Sequence, residues 1–316
     1  MAIATTASFP QYAGELYLFK NYSNPFLASL GSGGKITDNF DFALSSSATL
    51  ASGVQPSISE TDSVTAPTSF DNFTRDQDVN TCQIIQKYVR TSNKMLSSWN
   101  KQIGNSSDYG SIGGENMLAD VHEWNTNTAL KQIYRDMNYS CWNGSYQRAT
   151  NAGVAAQTRG LDEAITTNET TISGVITGIT KAQLDAHLVS VFDTGIDMSD
   201  TVIWVNGATK VALSNLYSLN LQTQPRDRKV GGVDVQMLIT DFGEFPIAVD
   251  FDVPSDKIFF INMGIVSNVW CPVFGKGNLY YEEKADSAAA RTGMIYGQWG
   301  LDYGAEEYHS VIKATG

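Results

Sequence analysis

Residues 114–139, GENMLADVHEWNTNTALKQIYRDMNY, constrain the fold more than any other stretch of the chain. Met117, Leu118, Val121, Trp124, Leu130, Ile133, Tyr134 and Met137 recur at three- and four-residue spacing, and no proline interrupts them. That period predicts one long helix, spanning on the order of 39 Å at 1.5 Å per residue. Glu115 and Asp120 lie toward its start and Lys131 and Arg135 toward its end, the order that the helix dipole favours.

The stretch RDQDVNTCQIIQKYVRTS, residues 75–92, admits two readings. Ile84, Ile85, Tyr88 and Val89 fit one helix face, whereas Ile84, Gln86, Tyr88 and Arg90 fall on one side of a strand. It follows residues 38–74, whose hydroxyl-rich composition and prolines, Pro56 and Pro67, argue against a helix. Within that segment the flanking FDF (40–42) and SFDNF (69–73) can pair as strands of a long hairpin. A loop of this length inside a compact domain calls for a function. Residues 1–37 scatter Phe9, Tyr12, Tyr17, Phe19, Tyr22 and Phe26 among loop formers and end in GSGGK, which reads as an extended arm and not as a packed unit.

Beyond a Gly- and Ala-rich connector, residues 180–192 have helical period, TVIWVNG (201–207) is a short apolar strand, and 208–217 resumes helical spacing. VDVQMLITDFGEFPIAVDF reads as two antiparallel strands about the turn Asp241-Phe242-Gly243, and KIFFINM is a further strand. The remainder, to the C-terminal Val311 and Ile312, is strand-rich.

With 316 residues the chain can bury a core as one large domain or two smaller ones, without staples. Cys82, Cys141 and Cys271 are odd in number, widely spaced and form no CxxC. They predict neither a disulfide framework nor a zinc site, and so a reducing, cytosolic place of synthesis. The N-terminus lacks the pattern of an export signal and no run approaches 18 apolar residues, so neither secretion nor membrane spanning is expected. Net charge is −12 with Lys and Arg scattered, which argues against a sequence-reading nucleic-acid binder.

One fragment invites a catalytic reading. SVFDTGID (190–197) contains the apolar-Asp-Thr-Gly signature of aspartic proteases, in which two carboxylates share a proton. Only one copy exists and a helical pattern precedes it, so a helix C-terminus followed by a turn is the favoured reading. An aspartic-protease-like hydrolase using Asp193 is the alternative function. GSGGKIT (31–37) lacks the spacing and the hydroxyl of a phosphate loop. Asp193, Asp197 and Asp200 lack the spacing of a calcium loop. His122, His187 and His309 read as hydrogen-bonded or solvated side chains, not ligands. No catalytic residue, cofactor or metal site is expected.

Five segments, taken in order, carry a resemblance. They are DNFTRDQDVNTCQIIQKYVRTSNK, GENMLADVHEWNTNTALKQIYRDM, RGLDEAITTN, DVQMLITDFGEFPIAVDFDVPSDKIFFIN and KADSAAARTGMIYGQWGLDYGAEEYHSVIKATG. Their order and spacing over most of residues 38–316 resemble the major capsid proteins of tailed bacteriophages with the HK97-like fold. Residues 1–37 and the segment after the long helix lack close matches. The resemblance implies an α+β fold with an N-terminal arm (1–37), an extended β-hairpin loop (38–92) and the first part of a peripheral domain (93–160) with a spine helix at 114–139. An axial α/β domain (161–262) and peripheral C-terminal strands (263–316) follow. Within that layout residues 75–92 become a strand, the return arm of the hairpin.

The implied function is self-assembly into the icosahedral head shell of a double-stranded DNA phage, enclosing the genome without sequence-specific binding. The implied protein is no enzyme and resides in the virion after synthesis in the host cytoplasm. Its implied partners are further copies of itself, as pentamers and hexamers, with portal, scaffold or decoration proteins as additional candidates. In the same reading Arg75, Asp76, Asp78, Lys87 and Arg90 make polar contacts between subunits, and Phe70 and Phe73 are apolar anchors.

Overall fold

The computed structural model describes residues 23–31, 33–45, 57–65, 77–96, 121–217, 225–230, 233–285 and 288–315, with positions 48, 53 and 55 between them. The long helix, α3 in chain order, is Val121–Asn143 among these residues, so it runs past the expected end at Tyr139. Its buried stripe passes through His122, Ile133, Met137 and Cys141 at helical spacing. Gly144 stops it. A Cβ there would lie 2.6 Å from the Thr158 carbonyl oxygen, and the bare backbone instead accepts a 2.8 Å hydrogen bond from the Gly160 amide.

The stripe rests on a five-stranded sheet of β1 (Lys35–Ile36), β4 (Gln83–Ser92), β11 (Ser267–Trp270), β12 (Leu279–Lys284) and β13 (Ala290–Asp302). Residues 83–92 are therefore strand. Ten residue pairs bind β4 antiparallel to β13, from Ala290↔Ser92 to Trp299↔Gln83. Ile85, Val89 and Thr91 are buried on the helix side, while Ile84, Tyr88 and Arg90 on the other side are exposed, as the two-residue period requires.

The second sheet has seven strands in the order β5 (Glu169–Ser173), β14 (Ser310–Thr315), β10 (Lys257–Asn262), β6 (Thr201–Val205), β9 (Gly243–Val249), β8 (Val233–Thr240) and β7 (Pro225–Val230). Strands β8 and β9 pair antiparallel through Thr240↔Gly243, as their turn sequence predicts. Helices α5 (Lys181–Asp193) and α6 (Gly207–Tyr217) match the two expected from residues 180–217. Thr180 caps α5, accepting from the Gln183 amide at 3.3 Å.

This sheet is apolar on both faces. Val202, Trp204, Ala248, Phe259, Ile261 and Val311 belong to one core with Ile133, Met137 and Trp142 of α3. Their alternate neighbours, Ile203, Val205, Ile247, Ile258, Phe260 and Ile312, belong to another with Leu184, Leu188 and Leu213 of α5 and α6. A sheet covered on both sides has continuous apolar strands, which is why TVIWV and KIFFIN do not alternate.

A buried amide joins the two sheets' elements. Asn138 of α3 accepts from the Leu27 amide at 3.2 Å, and its Nδ2 donates to the carboxylates of Asp250, at 3.0 Å, and Asp252, at 2.8 Å. The Trp142 indole also donates to Asp250, at 3.2 Å. Burial pushes the Asp250 carboxyl above its ordinary value, although these donors oppose the shift.

Four expectations need correction. Residues 25–30 are not extended: Pro25–Leu30 is a helix, α1, with Pro at its start. Phe26 is fully buried, its ring centroid 4.5 Å from that of Trp142 and 5.1 Å from that of Trp204, so this part of the arm is packed. The segment FDF does not wait for SFDNF, which lies outside the described residues. Strand β2 (Asp41–Ala43) pairs with β3 (Val79–Thr81), because Phe42 finds the Cys82, Val269 and Cys271 cluster there.

Residues 38–74 also contain a helix, α2 (Glu60–Ser63), closed by a capping box between Ser59 and Asp62. The same hydroxyl that argued for a loop is a preferred helix cap. Finally, the C-terminal segment serves both sheets. Strand β13 lies under α3, but β14 sits between β5 and β10 in the seven-stranded sheet.

Candidate assembly surface

The two faces of the β4–β13–β12 sheet have different chemistry. On the inner face Ile85, Ile295 and Trp299 join the core beneath α3. Polar groups there are closed off within the chain. His122 of α3 lies 3.0 Å from Thr91 Oγ1 and 2.8 Å from the Tyr281 hydroxyl. Gly293 makes this possible, since a Cβ at that position would overlap the Tyr281 ring. Trp299 Nε1 donates to Asn268 Oδ1 at 3.0 Å.

Among the described residues the outer face is closed only at one end, where β2 and β3 bring Phe40 and Phe42 onto Cys82, Val269 and Cys271. Burial pushes the Cys82 thiol up to about 12, with the neighbouring Cys271 and Asp41 adding to it, so it stays protonated and poorly nucleophilic. Toward the other end the ladder places Ile84, Gln86, Tyr88 and Arg90 of β4 beside Gln298, Tyr296, Met294 and Thr292 of β13. Tyr280, Glu282 and Lys284 of β12 continue the face. Ile84 is 55% and Tyr88 69% exposed.

The sequence-predicted contact residues divide into three groups. Phe70, Phe73, Arg75 and Asp76 lie outside the described residues. Asp78 and Lys87 have partners in their own chain. Asp78, at the root of the loop, pairs with Arg159 and accepts a 2.8 Å hydrogen bond from the Tyr303 hydroxyl. Burial and this bond push the Tyr303 phenol above its ordinary value. Lys87 reaches inward to Asp136 of α3 at 2.7 Å. Arg90 is exposed and has no ionic partner among the described residues.

Ile84 and Tyr88 were missing from the predicted set, although their alternation with Gln86 and Arg90 was the available signal. The root itself is rigid. Buried Asn80 accepts from the Arg159 amide at 2.8 Å and donates to the Leu301 carbonyl at 2.8 Å, fixing β3 to the end of β13.

Nothing at the former catalytic candidates forms a reaction centre. Asp193 is the exposed last residue of α5, and Gly195, at φ 77°, makes the turn that follows, so the hydrolase alternative is set aside. His187 is buried between Thr170 Oγ1, at 2.7 Å, and Ser310 Oγ, at 3.0 Å. His309 accepts from the Asn262 amide at Nδ1, so Nε2 carries the proton donated to the Tyr303 carbonyl at 2.7 Å. Burial lowers both imidazoles to about 4. Among the described residues no group of His, Cys, Asp or Glu could hold a metal, and no helix is long and apolar enough to cross a membrane.

Known proteins share this architecture. The capsid asymmetric unit of cyanophage A-1(L) superposes with a TM-score of 0.65 over 96% of each chain at 14% identity. A structure of Mycobacterium phage Ogopogo gives 0.59 over 99% of this chain and 100% of its own at 13% identity. The holo-SrpI encapsulin complex of Synechococcus elongatus gives 0.60 over 96% and 92% at 9% identity. No curated protein matches the sequence significantly. These likenesses establish the HK97-like fold. Residues 2–316 match the SU10 major capsid protein model, and the chain therefore belongs to the SU10 major capsid protein family, whose members form phage shells.

Proposed function

We propose that this shell-forming protein builds the icosahedral head of a tailed double-stranded DNA phage from pentamers and hexamers, enclosing the genome without reading its sequence. In this reading it is made in the host cytoplasm, and portal, scaffold or decoration proteins join it in the virion. The arm and the loop between β2 and β3 reach neighbouring copies, whereas Pro25–Leu30 and β4 stay within their own subunit. Residues 93–160 and 263–302 form the periphery of each subunit, and residues 161–262, joined by β14, approach the symmetry axes. Phe70, Phe73, Arg75, Asp76 and Arg90 contribute to contacts between subunits, whereas Asp78 and Lys87 are engaged within their own chain.

The observation that carries this reading is the separation of the turn at residues 57–65 from the chain's own core. Residues 57–65 are exposed throughout, and α2 buries no residue. In this reading the apolar groups held out this way are covered by a neighbour, and symmetry repeats each small contact around the shell. Purified protein should therefore sediment as capsomers or megadalton particles. Deleting residues 50–68 should leave a folded chain that forms none; shells of normal size from that deletion would refute the proposal.

A further inference from the structure

A cavity of about 560 Å³ lies between α1, α3 and the sheet beneath them, lined on its apolar side by Leu27, Met137, Trp270 and Leu279. Two polar atoms of its lining residues are buried and lack a partner among the described residues. The indole N–H of Trp270, a residue only 7% exposed, finds no acceptor, and Asn24 Oδ1 finds no donor. Asn24 stands at the N-cap of α1, where such a side chain ordinarily accepts from the first helical amides, yet it makes no capping bond. A buried donor or acceptor left unpaired costs stability, and native proteins pair nearly all of them. An extended backbone would supply both partners, a carbonyl for Trp270 and an amide for Asn24, with side chains left to meet the apolar lining.

The chain itself brings such a backbone to the rim. Ser23 and Asn24, where the described residues begin, both line the cavity, so residues 1–22 leave from its edge. That segment ends in GELYLFKNY, which sets Leu16, Tyr17, Leu18, Phe19 and Tyr22 against two charges, Glu15 and Lys20. A stretch this apolar gains by leaving water. Asn21 and Ser23 are turn formers, and Phe19 lies four residues before Ser23, a span of up to about 14 Å. The one acid, Glu15, has a complement in Lys131 at the cavity rim, which is exposed and has no ionic partner among the described residues. The segment that ends at residue 120 is less well placed, because Val121 begins α3 about 15 Å along the helix from Lys131.

We propose that residues 15–22 fold back into this cavity of their own subunit, with Phe19 on Leu27, Met137 and Leu279, and main-chain groups meeting Trp270 and Asn24. Glu15 then meets Lys131, and the span left to reach another copy is residues 1–14. The inference divides the arm into an anchored part and a reaching part. It does not rest on shell formation, because closure of the cavity is read on single subunits or capsomers.

Trypsin reads that closure, since Lys20 is the only basic residue in residues 1–22. Unassembled wild-type protein should be cut slowly at Lys20. Ala28→Trp, a change at an exposed lining position, should fill the cavity, expel the segment and speed the cut about tenfold, because cleavage follows the open population. Equal rates in the two proteins would overturn the proposal.

Cysteine pairing identifies the occupant. The native thiols Cys82, Cys141 and Cys271 are buried, and Tyr134 is a partly exposed lining residue. Oxidised Phe19→Cys/Tyr134→Cys protein should therefore carry a bridge within one chain, seen as a single-chain band on a non-reducing gel and as a linked peptide by mass spectrometry. Phe19→Cys protein mixed with Tyr134→Cys protein should give no dimer. A dimer in that mixture would assign the cavity to a neighbour's arm and overturn the proposal, as would absence of the bridge within the chain. A wild type that forms no particles would bear on the shell-forming reading alone and leave both readouts intact.

Discussion

The inner and outer faces of the β4–β13–β12 sheet differ in who completes them. On the inner face Lys87 has Asp136, His122 has Thr91 and Tyr281, and Trp299 has Asn268, all within one chain. On the outer face Ile84 and Tyr88 stand in solvent, with Arg90 alongside them. The same strand therefore carries two kinds of information, one residue apart. Inward residues are completed within the subunit, and these outward residues are left to solvent.

Changes inside should unfold the chain whatever they do to assembly. The largest expected effect is at Trp299, which is fully buried. Trp299→Ala should cost about 4 kcal/mol through lost burial and a residual cavity, with Asn268 Oδ1 left without its donor. Urea unfolding of capsomers or monomers measures it, and a loss below about 1 kcal/mol would show that the inner face is not the core of this sheet.

Acid is the next lever. The fold holds His187 and His309 near pKa about 4, below the ordinary 6.5. The unfolded chain therefore binds more protons between those values, and stability falls as pH drops from about 6.5 toward 4. The effect is about 3 kcal/mol per histidine. Asp250 opposes it, because a carboxyl raised by burial is protonated more readily in the fold as pH falls. Thermal unfolding across that pH range should lose about half of its histidine-borne acid sensitivity in His309→Gln, whereas Arg90→Glu on the outer face should leave the pH profile unchanged.

A smaller effect is expected at the boundary between the faces. The Lys87 and Asp136 side chains are each about two-fifths exposed, so Lys87→Met should cost less than about 1 kcal/mol of chain stability. A clear loss of particles from that variant, without loss of stability, would move Lys87 into the assembly surface and blur the division.

Much of the fold was legible because its signals are local. The three- and four-residue spacing of α3 and α5 declares a helix without reference to anything else, and the Asp241-Phe242-Gly243 turn declares the β8–β9 pair. Strand β4 was not decidable locally, since Ile84, Ile85, Tyr88 and Val89 satisfy both periods. It becomes a strand because β13, distant in sequence, supplies its ladder, a tertiary choice over local preference. The burial of α1 was hidden for the same reason: six residues among loop formers gain their core only when Trp142 and Trp204 arrive. The placement of β14 beside β5 and β10 is a matter of pairing, which apolar pattern alone does not encode.

The candidate surface was half legible. Alternation marked Ile84, Gln86, Tyr88 and Arg90 as one side of a strand, but which side faces water depends on where α3 packs. The inward pairing of Lys87 with Asp136 follows from that packing. Residues on the loop turn were overlooked because a Ser-rich stretch reads as unstructured until Ser59 and Asp62 are seen to cap each other.

The central claim is that outward residues of β4 govern assembly and not folding. The direct measurement is the unfolding midpoint and the particle yield of Ile84→Ser/Tyr88→Ser, determined side by side with wild type. The account predicts a chain stability within about 0.5 kcal/mol of wild type, as for exposed substitutions, and no shell-sized species in sedimentation. A normal yield of shells, or a collapse in chain stability, would contradict it.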